Sequence, residues 1–175
     1  MHNMLSFARK SYTSISSHKQ ERSYLTSHLR CITICITEVM KKILIDSGPL
    51  IALFDSSDKY HEESVSFIKI NKYPLITTLA SITETLHLLD FNRNAQIDFL
   101  EWVSRGAVEI HNIQNNDFKR LKDLTEKYRD LPMDFADSCL VYIAEKLDIY
   151  TIATIDRDFT IYRIKGKKKF KMILS

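Results

Sequence analysis

Apolar positions fall along this chain in short unbroken runs, separated by longer stretches of helical period. The clearest run is Ile43-Leu44-Ile45, which stops abruptly at Asp46. An unbroken aliphatic run of this kind marks a strand covered on both faces, as parallel strands are. Ser47-Gly48-Pro49 then turns the chain, and Leu50 to Phe54 resumes it as an apolar helix. In an open α/β sheet the functional crevice lies beyond the carboxyl ends of the strands. Asp46 therefore stands where chemistry is usually placed.

The same alternation continues downstream. Ser56-Ser57-Asp58 offers an N-cap for an amphipathic helix over 59–70 that carries Val65, Phe67, Ile68 and Ile70. A short strand over 73–78 leads into a helix over 80–91, with Ile82, Leu86, Leu88 and Leu89 as its apolar face and Glu84 in its first turns. Another helix spans 94–105 and stops at Gly106. Residues 108–113 alternate and predict a half-exposed strand. Phe118, Leu121, Leu124 and Tyr128 give a charged helix over 115–129, broken by Leu131-Pro132-Met133. Asp134 caps a helix that runs to Leu147, with Asp137 in its first turn and Leu140, Ile143, Ala144 and Leu147 inward. Residues 150–155 form a further strand and, like the first, end in a carboxylate, Asp156. A basic turn at 165–169 and a last strand at 170–174 close the chain. Strands alternating with helices predict a three-layer α/β/α sandwich around a mainly parallel sheet of about five strands with right-handed crossovers.

Residues 1–39 do not follow this pattern. They are rich in Ser, Thr, Arg and His, and only residues 31–36 look strand-like. Met40 directly precedes the first strand, so we read 1–39 as an extension upstream of a start at Met40, and 40–175 as the folded domain. An accessory arm or an Arg- and Ser-rich targeting leader also fits the composition. The formal charge of +3 resides in that extension, which leaves the remainder neutral. Nucleic-acid binding would therefore have to come from local patches. Cys31, Cys35 and Cys139 lack a paired framework and predict a reducing, cytoplasmic location. His28, Cys31 and Cys35 suggest half of a zinc site, with no second Cys/His pair to complete it. No run approaches the roughly 18 apolar residues of a membrane span.

The chemistry centres on four acids. Asp46 and Asp156 end strands, while Glu84 and Asp137 begin helices, and these ends share one side of an α/β sheet. Each acid has a plainer reading alone: Asp134 and Asp137 as a cap and a complement to the helix dipole, Glu84 as a solvated helix position. Gathered, they would repel one another unless a hard cation neutralised them. Mg²⁺ or Mn²⁺ prefers such oxygen donors, and metal-assisted phosphodiester hydrolysis is the reaction most often run there.

From Met40 onward the chain resembles the PIN domain family, and within it the small VapC-type toxins. The matching stretches are Ile43-Leu44-Ile45-Asp46-Ser47-Gly48-Pro49-Leu50-Ile51-Ala52, Thr83-Glu84 within 78–89, Asp134-Phe135-Ala136-Asp137-Ser138 within 131–141, and Thr154-Ile155-Asp156-Arg157-Asp158-Phe159. The resemblance implies a Mg²⁺- or Mn²⁺-dependent endoribonuclease of a toxin–antitoxin pair. It implies Asp46, Glu84, Asp137 and Asp156 as catalytic acids, with Asp46 and Asp137 holding the metal most directly. Asp158 is a further acid of that loop. Ser47 and Thr154 read either as donors that orient carboxylates or as plain turn and strand residues, and Asp134 as a supporting acid or a cap. Arg157, Arg163, Lys165, Lys167, Lys168 and Lys169 are the basic side chains available for RNA, or else a solvated turn. The resemblance also implies an antitoxin partner and a homodimer, for which Phe54, Phe67, Phe91 and Trp102 are candidate contacts if they are not core. An RNA-processing nuclease outside a toxin–antitoxin pair and a non-catalytic binding module are the alternatives. A phosphoryl-transfer fold of another kind is disfavoured, because a dehalogenase-like phosphatase needs a second Asp where Gly48 stands.

Overall fold

The computed structural model describes residues 41–174. The expected extension over 1–39, including Cys31 and Cys35, lies outside them. The elements are β1 (Ile43–Ile45), α1 (Ser47–Phe54), α2 (His61–Ile70), β2 (Leu75–Thr78), α3 (Leu79–Leu88), α4 (Arg93–Ser104), β3 (Glu109–His111), α5 (Phe118–Lys127), α6 (Phe135–Leu147), β4 (Thr151–Ala153), β5 (Arg163–Ile164), β6 (Lys168–Lys169) and β7 (Lys171–Ile173). Single 3₁₀ turns cover Asn115–Asp117 and Arg157–Thr160.

Five strands form one sheet in the order β3-β2-β1-β4-β7, and every neighbouring pair is parallel. β1 is central, with Leu44 opposite Ile76 on one side and Ile152 on the other. Its side chains alternate between two cores. Leu44 joins Ile76, Ile152 and the inner faces of α5 and α6, while Ile43 and Ile45 join Leu50, Phe67, Ile82 and Phe99 beneath α1 to α4. Helices therefore cover both faces, which is why β1 carries no polar residue. This is the three-layer α/β sandwich that the pattern predicts.

Several local expectations change. Ser47-Gly48-Pro49 is the first turn of α1, not a turn before it, and Asp46 is its N-cap. Pro is well placed in a first turn, whose N–H has no intrahelical partner. Asp58 does not cap α2. It accepts from the N–H of Tyr60 in a local turn, and the helix begins at His61. Ile70, Leu88 and Phe118, expected on inner faces, are exposed at 75%, 47% and 51%. Gly106 does stop α4, with φ +78°. The basic stretch after Ile164 is not a free turn but an antiparallel hairpin, β5 against β6. Of the four aromatics considered for partner contacts, Phe67 is buried, Phe54 and Trp102 pack with Phe99, and Phe91 is exposed.

Candidate active site

Asp46 follows the last residue of β1, so the central strand delivers its carboxyl to the sheet's end. Oδ1 accepts from the Ser47 N–H at 2.7 Å and from the Ser47 hydroxyl at 3.4 Å. Oδ2 accepts from the Thr154 hydroxyl at 2.8 Å, which crosses from the end of β4. Thr154 Oγ1 in turn accepts the Asp156 N–H at 3.0 Å. One buried hydroxyl thus ties the two strand-end acids into a single unit. Gly48 makes this possible at close range, because a Cβ there would lie 2.8 Å from Ile155 Cγ1.

Asp137 comes from the first turn of α6, which Asp134 caps by accepting the Asp137 N–H at 2.8 Å. Tyr162 donates its hydroxyl to Asp137 Oδ2 at 3.2 Å. Glu84 lies half-buried in the second turn of α3, and Asp156 caps the 3₁₀ turn by accepting the Asp158 N–H at 2.9 Å. Four elements therefore bring Asp46, Glu84, Asp137 and Asp156 to one end of the sheet, as the pattern predicts.

Their charges are felt between them. Burial pushes Asp46 up to about 6 against the lowering pull of Thr154 and Ser47, with Glu84 and Asp156 adding to the rise. Burial, then Asp134, Asp46 and Asp156, push Asp137 up to about 8. Burial first, and then the charges of Asp134 and Asp156, raise Glu84 against a hydrogen bond from Ser47. Asp158 is raised by its partial burial and by Asp156. Among the described residues no Lys, Arg or His pairs with any of the four acids. The donor set is thus all hard oxygen and uncompensated, which fits a divalent cation of the Mg²⁺ type in chemistry. Among the described residues no three acidic, His or Cys side chains already stand as a closed ligand cluster.

A hollow of about 470 Å³ opens beside the acids, walled by Ala80, Thr83, Glu84, His87, Asp134, Phe135 and Ala136. Phe135 is exposed and stacks on the exposed Phe118, with ring centroids 6.1 Å apart. Of the basic residues, Arg157 directly follows Asp156 in the chain and is exposed. The others are placed elsewhere. Arg163 Nη1 donates to the carbonyls of Thr160, Ile161 and Tyr162 at 2.6–2.8 Å. Lys165 pairs with Asp148 at 2.5 Å, and Lys168 donates to the Tyr150 hydroxyl at 2.7 Å. Both partners lie past the carboxyl end of α6, and Asp148 at that end is about 16 Å along the helix from Asp137 at 1.5 Å per residue. Lys167 and Lys169 are exposed in the same hairpin. The sequence reading missed Tyr162 altogether. The available signal was its position four residues after Asp158, beside the buried Phe159.

A family model described as PIN domain matches residues 43–165. Ribonuclease VapC26 of Mycobacterium tuberculosis (strain ATCC 25618 / H37Rv) is 25% identical over 134 residues, which cover 75% of this chain and 99% of that protein. The crystal structure of Mycobacterium tuberculosis VapC20, described as a Sarcin-Ricin loop cleaving toxin, superposes with a TM-score of 0.63 at 16% identity. The match covers 68% of this chain and 93% of that one.

Proposed function

The chain belongs to the PIN domain family, and from that premise we propose that it is a metal-dependent endoribonuclease, the toxin of a toxin–antitoxin pair. The supporting observation is the convergence of four carboxylates from four elements with, among the described residues, no basic side chain paired to them. The ribonuclease and toxin named among the relatives support the substrate class. Asp46 and Asp137 would hold Mg²⁺ or Mn²⁺ most directly, with Glu84 and Asp156 completing the site. When bound, such an ion polarises a phosphodiester and lowers the pKa of water near it.

The remaining steps belong to the chain itself. Thr154 and Ser47 keep Asp46 ionised and correctly rotated by donating to its two oxygens. Asp134 fixes the start of α6 and so the height at which Asp137 emerges. Arg157 meets a phosphate at the mouth of the site. The hollow beside Glu84, with Phe135 at its edge, accommodates a base of single-stranded RNA, for which exposed aromatics are the usual platform. The exposed Leu88, Phe91, Ile97 and Leu100 are the apolar surface on which an antitoxin or a second copy would sit.

The test is RNA cleavage by the purified full chain, freed of any antitoxin, with Mg²⁺ or Mn²⁺, with EDTA, and with Asp46→Asn. Cutting that needs the ion and disappears in the variant supports the reading. A folded, metal-loaded protein that cuts nothing in a broad RNA panel counts against a general nuclease.

A further inference from the structure

Tyr162 lies outside every stretch that carries the family resemblance, yet its hydroxyl ends at the acids. The ring is fully buried and packs edge-on against Tyr128 and Phe159, with centroids 5.1 and 5.2 Å away. Phe159 meets Phe170 in the same way at 5.4 Å. From this aromatic column the phenol oxygen reaches Asp137 Oδ2 at 3.2 Å. Packing alone asks for phenylalanine at this position. A phenol hydroxyl withdrawn from water carries a desolvation penalty unless it finds an acceptor, and the acceptor here is Asp137.

The backbone around Tyr162 is braced on both sides. Its N–H donates to the Asp158 carbonyl at 3.3 Å, and the Arg163 N–H donates to the Tyr128 hydroxyl at 2.9 Å. The Arg163 guanidinium gathers the three carbonyls before it. Neither the ring nor the hydroxyl is free to swing away from Asp137. Among the described residues no donor engages the other oxygen, Asp137 Oδ1.

We propose that Tyr162 is a positioning residue: it occupies Asp137 Oδ2, fixes the rotation of that carboxylate, and leaves Oδ1 for the divalent cation. This rests on the reading of the acids as a metal site. Partners of this outer kind commonly change metal affinity by about 10–100-fold when removed.

The experiment is calorimetric titration of the full chain with Mn²⁺, comparing wild type, Tyr162→Phe and Phe170→Leu, with the Tm of each. Tyr162→Phe deletes the hydroxyl and keeps the ring, whereas Phe170→Leu loosens the same column and keeps the hydroxyl. The expected result is a Kd for Mn²⁺ about tenfold or more weaker in Tyr162→Phe, with Phe170→Leu close to wild type although its Tm falls. Wild-type affinity in Tyr162→Phe overturns the role of Tyr162 and leaves the metal site standing. Equal weakening in both variants reports general loosening and also overturns it. So does a Tyr162→Phe chain that fails to fold, since the hydroxyl would then be holding the fold. A wild type that binds no Mn²⁺ removes the parent reading and this inference with it.

Discussion

Asp137 is held between two demands. Its burial and the charges of Asp134, Asp46 and Asp156 favour the protonated form, raising its pKa from 3.8 to about 8. The proposed chemistry needs the ionised form. Across that window the unfolded chain has released the proton and the folded chain has not, so the folded state binds more protons. Stability of the metal-free protein therefore falls as pH rises from about 4 towards 8, and Asp46 adds to the fall up to about 6. Asp137→Asn cannot ionise and removes that loss. Thermal unfolding in EDTA should show wild-type Tm declining between pH 5 and pH 8, and Asp137→Asn melting several degrees higher at pH 8 while losing cleavage. A flat wild-type profile would count against the burial and neighbouring charges that raise these two acids. Thr154→Val makes a second test at this scale. It removes the donor to Asp46 and orphans the Asp156 N–H, at a cost of about 1–3 kcal/mol. Denaturant unfolding measures that cost. Cleavage should fall by about 10–100-fold through weakened metal affinity.

The elements were legible where one physical rule decided them. An unbroken aliphatic run ending in Asp gave β1, a β-rich stretch likewise ending in Asp gave β4, and the helix signals between the first four strands gave their parallel arrangement. Glu84, Asp137 and the strand-end acids followed, because strand ends and helix starts share one side of such a sheet. Where two rules competed, the pattern misled. Ile70, Leu88 and Phe118 fit a helical period, yet each sits near a helix terminus, where a period of 3.6 residues does not say whether a neighbour is present to cover it. The lysines at 165–169 read as a cluster by composition, but the β5–β6 hairpin pins two of them to Asp148 and Tyr150. Tyr162 was illegible because the direction of its side chain depends on a 3₁₀ turn that no periodicity announces. Gly48 shows how finely the first turn of α1 meets the loop after β4. Gly48→Ala should press on Ile155 and lower cleavage while costing about 1–3 kcal/mol of stability. Adding Ile155→Ala should restore activity. If the double variant stays inactive, close approach is not the reason for the glycine.

At the scale of the whole molecule, the β5–β6 hairpin holds Lys165 and Lys168 at Asp148 and Tyr150, at the other end of α6 from Asp137. Among the described residues Arg157 is exposed and directly follows Asp156. Arg157→Ala should therefore slow cleavage and reduce its salt dependence, whereas Lys165→Ala with Lys168→Ala should leave the rate near wild type. Cleavage measured across a salt series separates the two. A larger effect of the lysine pair would mean that RNA tracks along α6 to the far end of the sheet. No helix among the described residues is long and apolar enough to cross a membrane.

The Thr154–Asp46 hydrogen bond spans 108 residues of sequence. During synthesis at about 5–20 residues per second, β1 emerges many seconds before the strand that completes its acid pair. Until then the central strand has no neighbour on its β4 side, and the first carboxylate lacks the hydroxyl that holds it. On the proposed reading, the acid site is completed only after the 108 residues that separate its two strand ends have been made.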